Sequence, residues 1–515
     1  MTSPAPSTGS QRQPASEHPQ ALVGLIVGFT LLRLLLAATV PLVPQEAYYW
    51  TWSRYPDWSY FDHPPLASYA IALTTAVFGS TVFGVKTAAV LWSLAWNLLW
   101  ARLVLDMYGD RRTAFWSLLA LNLTAVYEAF GIGPTPDGPL IFAWVGTIWA
   151  VWKVSQTGDG RWWFAAGLFI GLSWLGKYTG VLLLPVVLLY LLFSPAQRRW
   201  LVKPQPWLAL LLAGLVFTPV LIWNAQHEWV SLAFQSTRRA GGMRGFAPRY
   251  LLVLLATQFL LMTPYLFVVA MGALGRGLRG WFAAGMDDRT RLLLLSGAVP
   301  IVLFATVSLS SLVKANWLAP AWFGLVILGV HQLLARENGL RRLKRGLWSS
   351  ALLLLAACAV LVIPDLPLKY GMNSWSGWQG AAVRVERAVA AERATGRDTF
   401  VFSPSYKASA MVWFYAQGQA RTYAQDIYGE PALHFDYFPL ERDLKGATGI
   451  LVLSDEDDSK IDPARLSKYF AACERVDVVD AGALGRVTRR VEILRCRDYQ
   501  GHPHAARQNA RTPPG

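Results

Sequence analysis

Charged residues are scarce in this chain. Asp, Glu, Lys and Arg make up only 15% of its 515 residues, whereas a soluble globular protein carries about 25%. Hydrophobic residues contribute 54%, and several apolar runs reach about 18 residues, the length that marks a membrane-spanning helix. The composition excludes an ordinary soluble protein and predicts an α-helical polytopic membrane protein.

Acidic residues are scarcer than basic ones, with 32 Asp and Glu against 47 Lys and Arg and a net charge of +15. Such an excess can reflect binding to nucleic acid or anionic lipid, or the enrichment of Lys and Arg in cytoplasmic loops. The basic clusters lie in connections between apolar segments, which favours the topological explanation. Membrane lipid is therefore an expected partner, and nucleic acid is not.

The apolar segments predict about eleven membrane spans. A further apolar run, 65–79, is shorter than the roughly 20 residues needed to cross and is predicted to be an interfacial or re-entrant helix. With this run excluded, the connections rich in Arg and Lys share one side with the N-terminus, which is therefore predicted to be cytoplasmic. The predicted spans lie near 21–43, 83–105, 113–131, 138–154, 162–176, 179–194, 206–224, 249–273, 292–311, 317–335 and 347–363.

Changes in composition divide the chain into four parts. Residues 1–20 are rich in Pro and Ser and are predicted to be a disordered cytoplasmic segment. The membrane domain covers 21–363 and includes a first external loop, 44–82, with interfacial helices. Residues 364–500 have one helical and three strand patterns and predict a small external α/β domain. A disordered tail is predicted for 501–515.

Cysteine is rare, with three in the chain. Cys473 and Cys496 fall in the predicted external domain, where an oxidising environment favours a disulfide; two unpaired thiols are an equal alternative. Cys358 lies in a predicted span. No Cys/His pair has metal-ligand spacing, and neither GxxxxGK[ST] nor a convincing GxGxxG is present, so nucleotide chemistry lacks support. No cofactor is expected, and dependence on a divalent metal is left open.

Acidic residues occur in two of the predicted external loops. Glu46 opens "EAYYWTWSRY" after the first span, and Asp137 stands in "GPTPDGPL", where prolines restrict the backbone. Each has a structural alternative as an acid at a helix start. A carboxylate in a partly desolvated pocket can also act as a general base toward an attacking hydroxyl. Asp62 and His63 add a further acid and a group that titrates near neutrality.

Cations and aromatic residues accompany these acids on the predicted external side. Cations there can stabilise the developing charge of a phosphate leaving group, but a structural salt-bridge role is an equal alternative for the external arginines. Tyr and Trp are enriched at the membrane interface. The candidate cations are Lys177, Arg238, Arg239, Arg244 and Lys314, and the candidate aromatics are Tyr48, Tyr49, Trp50, Tyr60 and Tyr178.

Four motifs occur in order along the chain: "EAYYWTWSRYPDWSYFDHPPL", "TPDGPL", "GLSWLGKYTGVLLLP" and "KANWLAP". They closely resemble motifs of the family 39 and family 83 membrane glycosyltransferases, which include protein O-mannosyltransferases and bacterial aminoarabinose and galacturonosyl transferases. The resemblance covers about residues 20–340 and implies a GT-C fold. It also implies a polyprenyl-phosphate sugar donor and an inverting transfer at the outer leaflet, with loop aromatics stacking on the sugar.

The acceptor expected from the resemblance is an envelope glycolipid of the lipid A or lipopolysaccharide kind. The expected location is the bacterial inner membrane, with the active site and the C-terminal domain in the periplasm. A protein acceptor, as in the O-mannosyltransferases, is an alternative. A non-catalytic or lipid-transporting membrane protein is another, although a transporter would carry intramembrane charges along a continuous path.

The resemblance also assigns roles to individual residues. Asp137 matches the acid of the second loop, and His63 belongs to the family's "DHPP" element. Lys177 matches the lysine after the fifth span, and Lys314 matches the lysine of a "K-x-x-W" motif.

The first-loop acid departs from the family pattern. The family has a "DE" pair where this chain has Gln45 and Glu46, and an amide cannot accept a proton at neutral pH. The role of general base then falls to Glu46, or to Asp62 or Asp137, or the activity is lost.

Overall fold

The structure, a computed structural model, describes residues 19–240, 245–282, 285–363, 374–416, 421–454, 466–483 and 486–501. For residues 237–240 and 483 only the backbone is described. The fold is mainly helical with a small C-terminal sheet, so the predicted fold class is confirmed. The predicted disordered segments fall outside the described residues, apart from 19–20 and 501.

The helices and strands are labelled in chain order. The helices of the membrane domain are α1 (Pro19–Thr39), α2 (Pro44–Ser53), α3 (Leu66–Phe78), α4 (Val82–Tyr108), α5 (Arg111–Asn122), α6 (Ala125–Ile132), α7 (Asp137–Thr157), α8 (Trp162–Gly176), α9 (Leu183–Phe193), α10 (Pro204–Gln226), α11 (Val230–Ala240), α12 (Arg249–Leu261), α13 (Pro264–Arg279), α14 (Asp288–Val307), α15 (Ala319–Leu334) and α16 (Gly339–Val362). The C-terminal elements are α17 (Trp378–Ala394), β1 (Thr399–Phe402), α18 (Tyr406–Tyr415), β2 (Thr448–Ser454), β3 (Ala472–Ala483) and β4 (Arg486–Arg497).

The protein is a multi-pass membrane protein. Each apolar segment predicted to span is a helix or a pair of helices in the structure. Among the described residues, six helices are long and apolar enough to cross a membrane alone, and two bent pairs raise this number to eight. The helices α7, α8 and α9 do not pass the same test, so the total of eleven spans stays a prediction. The short run at 65–79 forms α3, an apolar helix of 13 residues.

Two of the predicted spans are not single helices. Helices α5 and α6 meet at 75°, because Thr124 adopts an extended backbone and its hydroxyl caps the start of α6. Helices α12 and α13 meet at 115°. There Thr263 has φ +61°, which is unusual for a β-branched residue, and Pro264 starts α13 without a backbone N–H to donate. Both breaks place irregular backbone between apolar helices.

The C-terminal residues form a four-stranded sheet in the order β1-β2-β4-β3. Strands β1 and β2 are parallel, whereas β4 is antiparallel to both β2 and β3. The strand patterns at 399–403, 449–454 and 486–496 and the helical pattern at 378–394 all correspond to elements of this domain. Cys473 and Cys496 are paired in register on β3 and β4 and form a disulfide. The predicted domain boundary at 364 lies outside the described residues.

The C-terminal domain packs directly on the first loop of the membrane domain. Helix α18 lies against α2, and Trp50 makes edge-to-face contacts with Trp413 at 5.8 Å and Phe414 at 5.1 Å between ring centroids. Buried residues of both regions belong to one hydrophobic cluster. Because they share a core, the C-terminal domain and the first loop lie on the same side of the membrane.

Removal of the disulfide should destabilise the C-terminal domain. The bond joins cysteines 23 residues apart, and restraining a loop of this size in the unfolded chain stabilises a protein by about 3 kcal/mol. We expect Cys473→Ala/Cys496→Ala, or reductant added to the wild type, to lower the temperature at which a protease cleaves this domain. Cys358→Ala, on α16, is the control. A double variant as protease-resistant as the wild type would contradict this expectation.

Candidate active site

Glu46 is fixed by backbone and by a buried lysine. Residue Val43 is extended and Pro44 starts α2, so Glu46 is the third helical residue and its Oε2 accepts the Val43 N–H at 3.0 Å. Lys86 of α4 donates to both carboxylate oxygens, at 2.8 Å to Oε1 and 2.7 Å to Oε2. Glu46 and Lys86 are both buried. The carboxylate therefore caps α2 and forms a buried ion pair, which corresponds to the structural alternative for this residue.

Lys86 was not among the residues predicted for the site. Its signal is a lone lysine in the apolar run "VFGVKTAAVLW", because a cation inside a membrane segment requires a partner. The partner lies 40 residues earlier, a separation that no local spacing rule reveals.

Asp137 is the centre of a second buried cluster. It is the first residue of α7, after Pro136, and its two oxygens accept hydrogen bonds from different segments. Lys177, in the extended break after α8, donates to Oδ1 at 2.7 Å, and Asn316 donates to Oδ2 at 2.9 Å. Asp137 and Lys177 are almost fully buried. The predicted acid and lysine are thus in direct contact, while Asn316, part of the "KANW" motif, was missed; Lys314 two residues earlier is exposed.

Asp62 has a phenol as a hydrogen-bond donor. The Tyr48 hydroxyl lies 3.1 Å from each Asp62 carboxylate oxygen, and the Gln235 side chain donates to the Asp62 carbonyl at 2.7 Å. Burial raises the pKa of Tyr48 well above its usual range, and the charge of Asp62 adds to this effect. Tyr48 therefore stays a neutral hydrogen-bond donor.

Tyr49 connects the groups around Asp62 and Asp137. Burial raises the pKa of Tyr49 well above its usual range, and the negative charges of both Asp62 and Asp137 contribute in the same direction. A hydrogen bond with the Gln45 side chain opposes the shift. Tyr49 on α2 therefore lies within electrostatic range of both Asp62, in the loop after α2, and Asp137, at the start of α7.

The structure also describes the surroundings of four other predicted residues, one histidine and three aromatic residues. His63 lies next to Tyr49, with 6.3 Å between ring centroids, and the Tyr178 hydroxyl is 2.6 Å from that of Ser231 on α11. Trp50 and Tyr60 are buried in packing: Trp50 contacts α18, and Tyr60 stacks on Trp52 at 4.7 Å. Both rings pack against other protein side chains, and their stacking on a sugar stays a prediction.

The predicted phosphate-binding arginines are only partly described. Arg238 and Arg239 belong to the end of α11, one turn beyond Gln235, whose side chain binds the Asp62 backbone. Their side chains lie outside the described residues, and so does Arg244. Their contact with phosphate stays a prediction. In the described part of the chain, no three His, Cys, Asp or Glu side chains are grouped in a way that could hold a metal ion.

Known proteins resemble the chain in sequence. The family model for dolichyl-phosphate-mannose-protein mannosyltransferases matches residues 62–223. A lipid A galacturonosyltransferase of Rhizobium johnstonii is 25% identical over 442 residues, which cover 85% of this chain and 91% of that protein. An undecaprenyl phosphate-α-4-amino-4-deoxy-L-arabinose arabinosyl transferase of Pseudomonas aeruginosa is 29% identical over 201 residues, about a third of each chain.

Solved structures resemble the chain in fold. The transferase ArnT from Cupriavidus metallidurans, in its apo state, superposes with a TM-score of 0.63 at 14% identity, over 92% of this chain and 98% of that one. The structure of the same protein bound to undecaprenyl phosphate superposes with a TM-score of 0.64 at 15% identity. The match covers 93% of this chain and 98% of that one. At this identity the likeness concerns the fold alone, and that fold is the GT-C fold.

The chain thus combines the GT-C fold with a buried cluster of acids, a lysine and phenols. These comparisons agree with the resemblance inferred from the four motifs: the chain has the GT-C fold and is similar in sequence to a lipid A galacturonosyltransferase and an aminoarabinose transferase.

A double-mutant cycle should show that Glu46 and Lys86 support each other structurally. Lys86→Met leaves a buried carboxylate without its cation, which should cost about 3–5 kcal/mol, whereas removing both charges in Lys86→Met/Glu46→Gln should recover most of this loss. Thermal unfolding in detergent, followed by tryptophan fluorescence, measures both. Arg102→Met, which removes an exposed partner of Asp106, is the control. A double variant no more stable than Lys86→Met would contradict the pairing.

Proposed function

We propose that the protein transfers a monosaccharide from a polyprenyl-phosphate donor to an envelope glycolipid of the lipid A kind. The main support is the arrangement of Asp62, Asp137, Lys177 and the neutral phenols of Tyr48 and Tyr49 in one buried site. Relatives that act on lipid A and use undecaprenyl-phosphate sugars agree with this chemistry. The location proposed is the bacterial inner membrane, with this site and the C-terminal domain on the periplasmic side.

The proposed reaction needs one base and one anion-binding group. The acceptor hydroxyl attacks the anomeric carbon from the face opposite the phosphate, and its proton passes to a carboxylate. The new C–O bond forms as the bond between the anomeric carbon and the phosphate oxygen breaks, and that electron pair leaves with the polyprenyl phosphate. Cations near the phosphate stabilise its increased charge, so no cofactor is invoked.

Asp62 is proposed as the base. Both oxygens of Glu46 bind the Lys86 ammonium, and the oxygens of Asp137 accept from Lys177 and Asn316. Lone pairs held by an ammonium are poorly placed to accept another proton, since a nearby positive charge stabilises the ionised carboxylate. The Asp62 carboxylate lies in the first loop, and the neutral phenol of Tyr48 donates a hydrogen bond to it.

Lys177 is proposed to bind the donor phosphate. It is held beside Asp137 at the junction of α7, α8 and the turn 315–318. An incoming phosphate would compete with Asp137 for the ammonium, and Asn316 would keep the released carboxylate hydrogen-bonded. Arg238, Arg239 and Lys314 are proposed to add positive charge from the neighbouring segments.

The break between α12 and α13 is proposed to receive the polyprenyl tail. An apolar cleft of about 460 Å³ lies there, lined by Leu255, Ala256, Phe259, Leu260 and Phe267. Gln258 of α12 donates to the Ala315 carbonyl at 2.7 Å. Asn316 follows directly and donates to Asp137, so hydrogen bonds join the helix that lines the cleft to the turn that holds Asp137.

A protein hydroxyl is the second candidate acceptor. The match of residues 62–223 to the protein mannosyltransferase model favours it. An assay of glycolipid and protein acceptors with the same sugar donor distinguishes these two acceptor classes.

Substitution of Asp62 should abolish most of the transfer. Purified protein in liposomes would be supplied with undecaprenyl-phosphate galacturonic acid or aminoarabinose and with lipid A, and the product followed by mass spectrometry. Because a general base contributes about 10²- to 10⁴-fold, Asp62→Asn should lower kcat by this factor. Lys86→Met/Glu46→Gln should still transfer sugar.

Asp106→Asn is the matched control. Asp106 lies near the C-terminal end of α4, far from Lys86, and it accepts hydrogen bonds from Arg102 and Trp149. Full activity of Asp62→Asn would reject the assignment of the base. Absence of transfer by the wild type to either acceptor class would reject the proposed function.

A further inference from the structure

A turn of the C-terminal domain inserts into the first loop beside Asp62. The 3₁₀ turn Leu433–Tyr437 carries His434, which is 3% exposed and lies among aromatic rings. Its ring centroid is 4.9 Å from that of Tyr60 and 5.5 Å from that of Trp52. Leu433 has φ +56°, which is uncommon for a leucine. Surrounding contacts must maintain this backbone conformation. The backbone of this turn is therefore fixed by its packing.

His434 makes two hydrogen bonds to the first loop. Its backbone N–H donates to the Tyr48 hydroxyl at 3.0 Å, and its Nδ1 accepts the Phe61 N–H at 3.2 Å. Phe61 is the residue directly before Asp62. One residue of the C-terminal domain thus binds both the backbone next to Asp62 and the phenol that donates to the Asp62 carboxylate.

The direction of these bonds determines the protonation of the groups involved. Because Phe61 donates to Nδ1, that nitrogen carries no proton. Burial lowers the pKa of His434 well below its usual range, and the charges of His227 and Arg421 act in the same direction. Because the Tyr48 oxygen accepts from the His434 N–H, the Tyr48 proton is directed away from His434 and toward Asp62.

We propose that His434 is a positioning residue for Asp62: its turn closes over the first loop and fixes both the backbone and the hydrogen-bond donor of the proposed base. This inference depends on the proposed function, because it takes Asp62 as the group that accepts the acceptor's proton. It gives the C-terminal domain a part in the transfer reaction through the position of Asp62.

The test uses full-length protein and two substitutions at one position. His434→Phe retains an aromatic ring but removes the acceptor for Phe61, whereas His434→Asn keeps an acceptor close to the place of Nδ1. A displaced base costs about 100-fold in rate, so His434→Phe should lower kcat by about this factor with the donor KM unchanged. His434→Asn should restore most of the activity. His227→Phe is the matched control, since His227 stacks on Trp223 and lies outside the two bonds.

Hydrogen–deuterium exchange at Phe61 gives a readout that does not need activity. The amide should exchange faster in His434→Phe than in the wild type, His434→Asn or His227→Phe. The losses in Tyr48→Phe and His434→Phe should also be non-additive, because both act through Asp62.

The outcomes separate the two proposals. Wild-type kcat in His434→Phe, or a loss that His434→Asn does not reverse, would overturn the positioning role. Unchanged exchange at Phe61 in His434→Phe would show that the contact does not restrain the loop and would also overturn it. A wild type that protects Phe61 but transfers no sugar would instead reject the proposed function, and the catalytic consequence with it.

Discussion

The pairing of buried charges is the constraint on which the site depends. A carboxylate or ammonium taken out of water costs several kcal/mol unless an opposite charge lies against it. In the described part of the membrane domain, three buried carboxylates are each paired with a cation from another helix or connection. The pairs are Arg33–Glu128 at 2.8 Å, Lys86–Glu46 at 2.7 Å and Lys177–Asp137 at 2.7 Å. Each pair joins distant parts of the sequence and therefore fixes the relative position of the segments that carry it.

The deepest of these pairs supports the loop that carries Asp137. Arg33 of α1 binds Glu128 and Asn122, on the two helices that meet at the 75° bend. Its guanidinium lies so close to Gly131 that a Cβ there would approach Nε to 2.3 Å, so the bend needs glycine at this position. The chain leaves α6 immediately afterwards and reaches Asp137 five residues past Ile132. A charge pair in the membrane domain thus helps to set where the second acid lies.

The sequence allowed the fold class and much of the site to be predicted, because these depend on local patterns. Apolar runs indicated the helices, and short motifs indicated Asp137 and Lys177. The partners Lys86 and Asn316 were missed because their separations, 40 and 179 residues, follow no spacing rule. The contacts of Trp50 with Trp413 and Phe414 were not foreseen, because the C-terminal domain supplies both rings. How the C-terminal domain packs on the first loop depends on contacts between distant segments, and no single segment of the sequence reveals it.

Gln45 is better understood as a charge-neutral hydrogen-bonding residue than as a sign of lost activity. Tyr49 already senses the negative charges of Asp62 and Asp137, and like charges that share a site disfavour each other's ionised form. A carboxylate at position 45 would bring a third negative charge to the same phenol. The amide can hydrogen-bond to Tyr49 without adding that charge. The departure from the family's acidic pair is thus compatible with the proposal that Asp62 is the base.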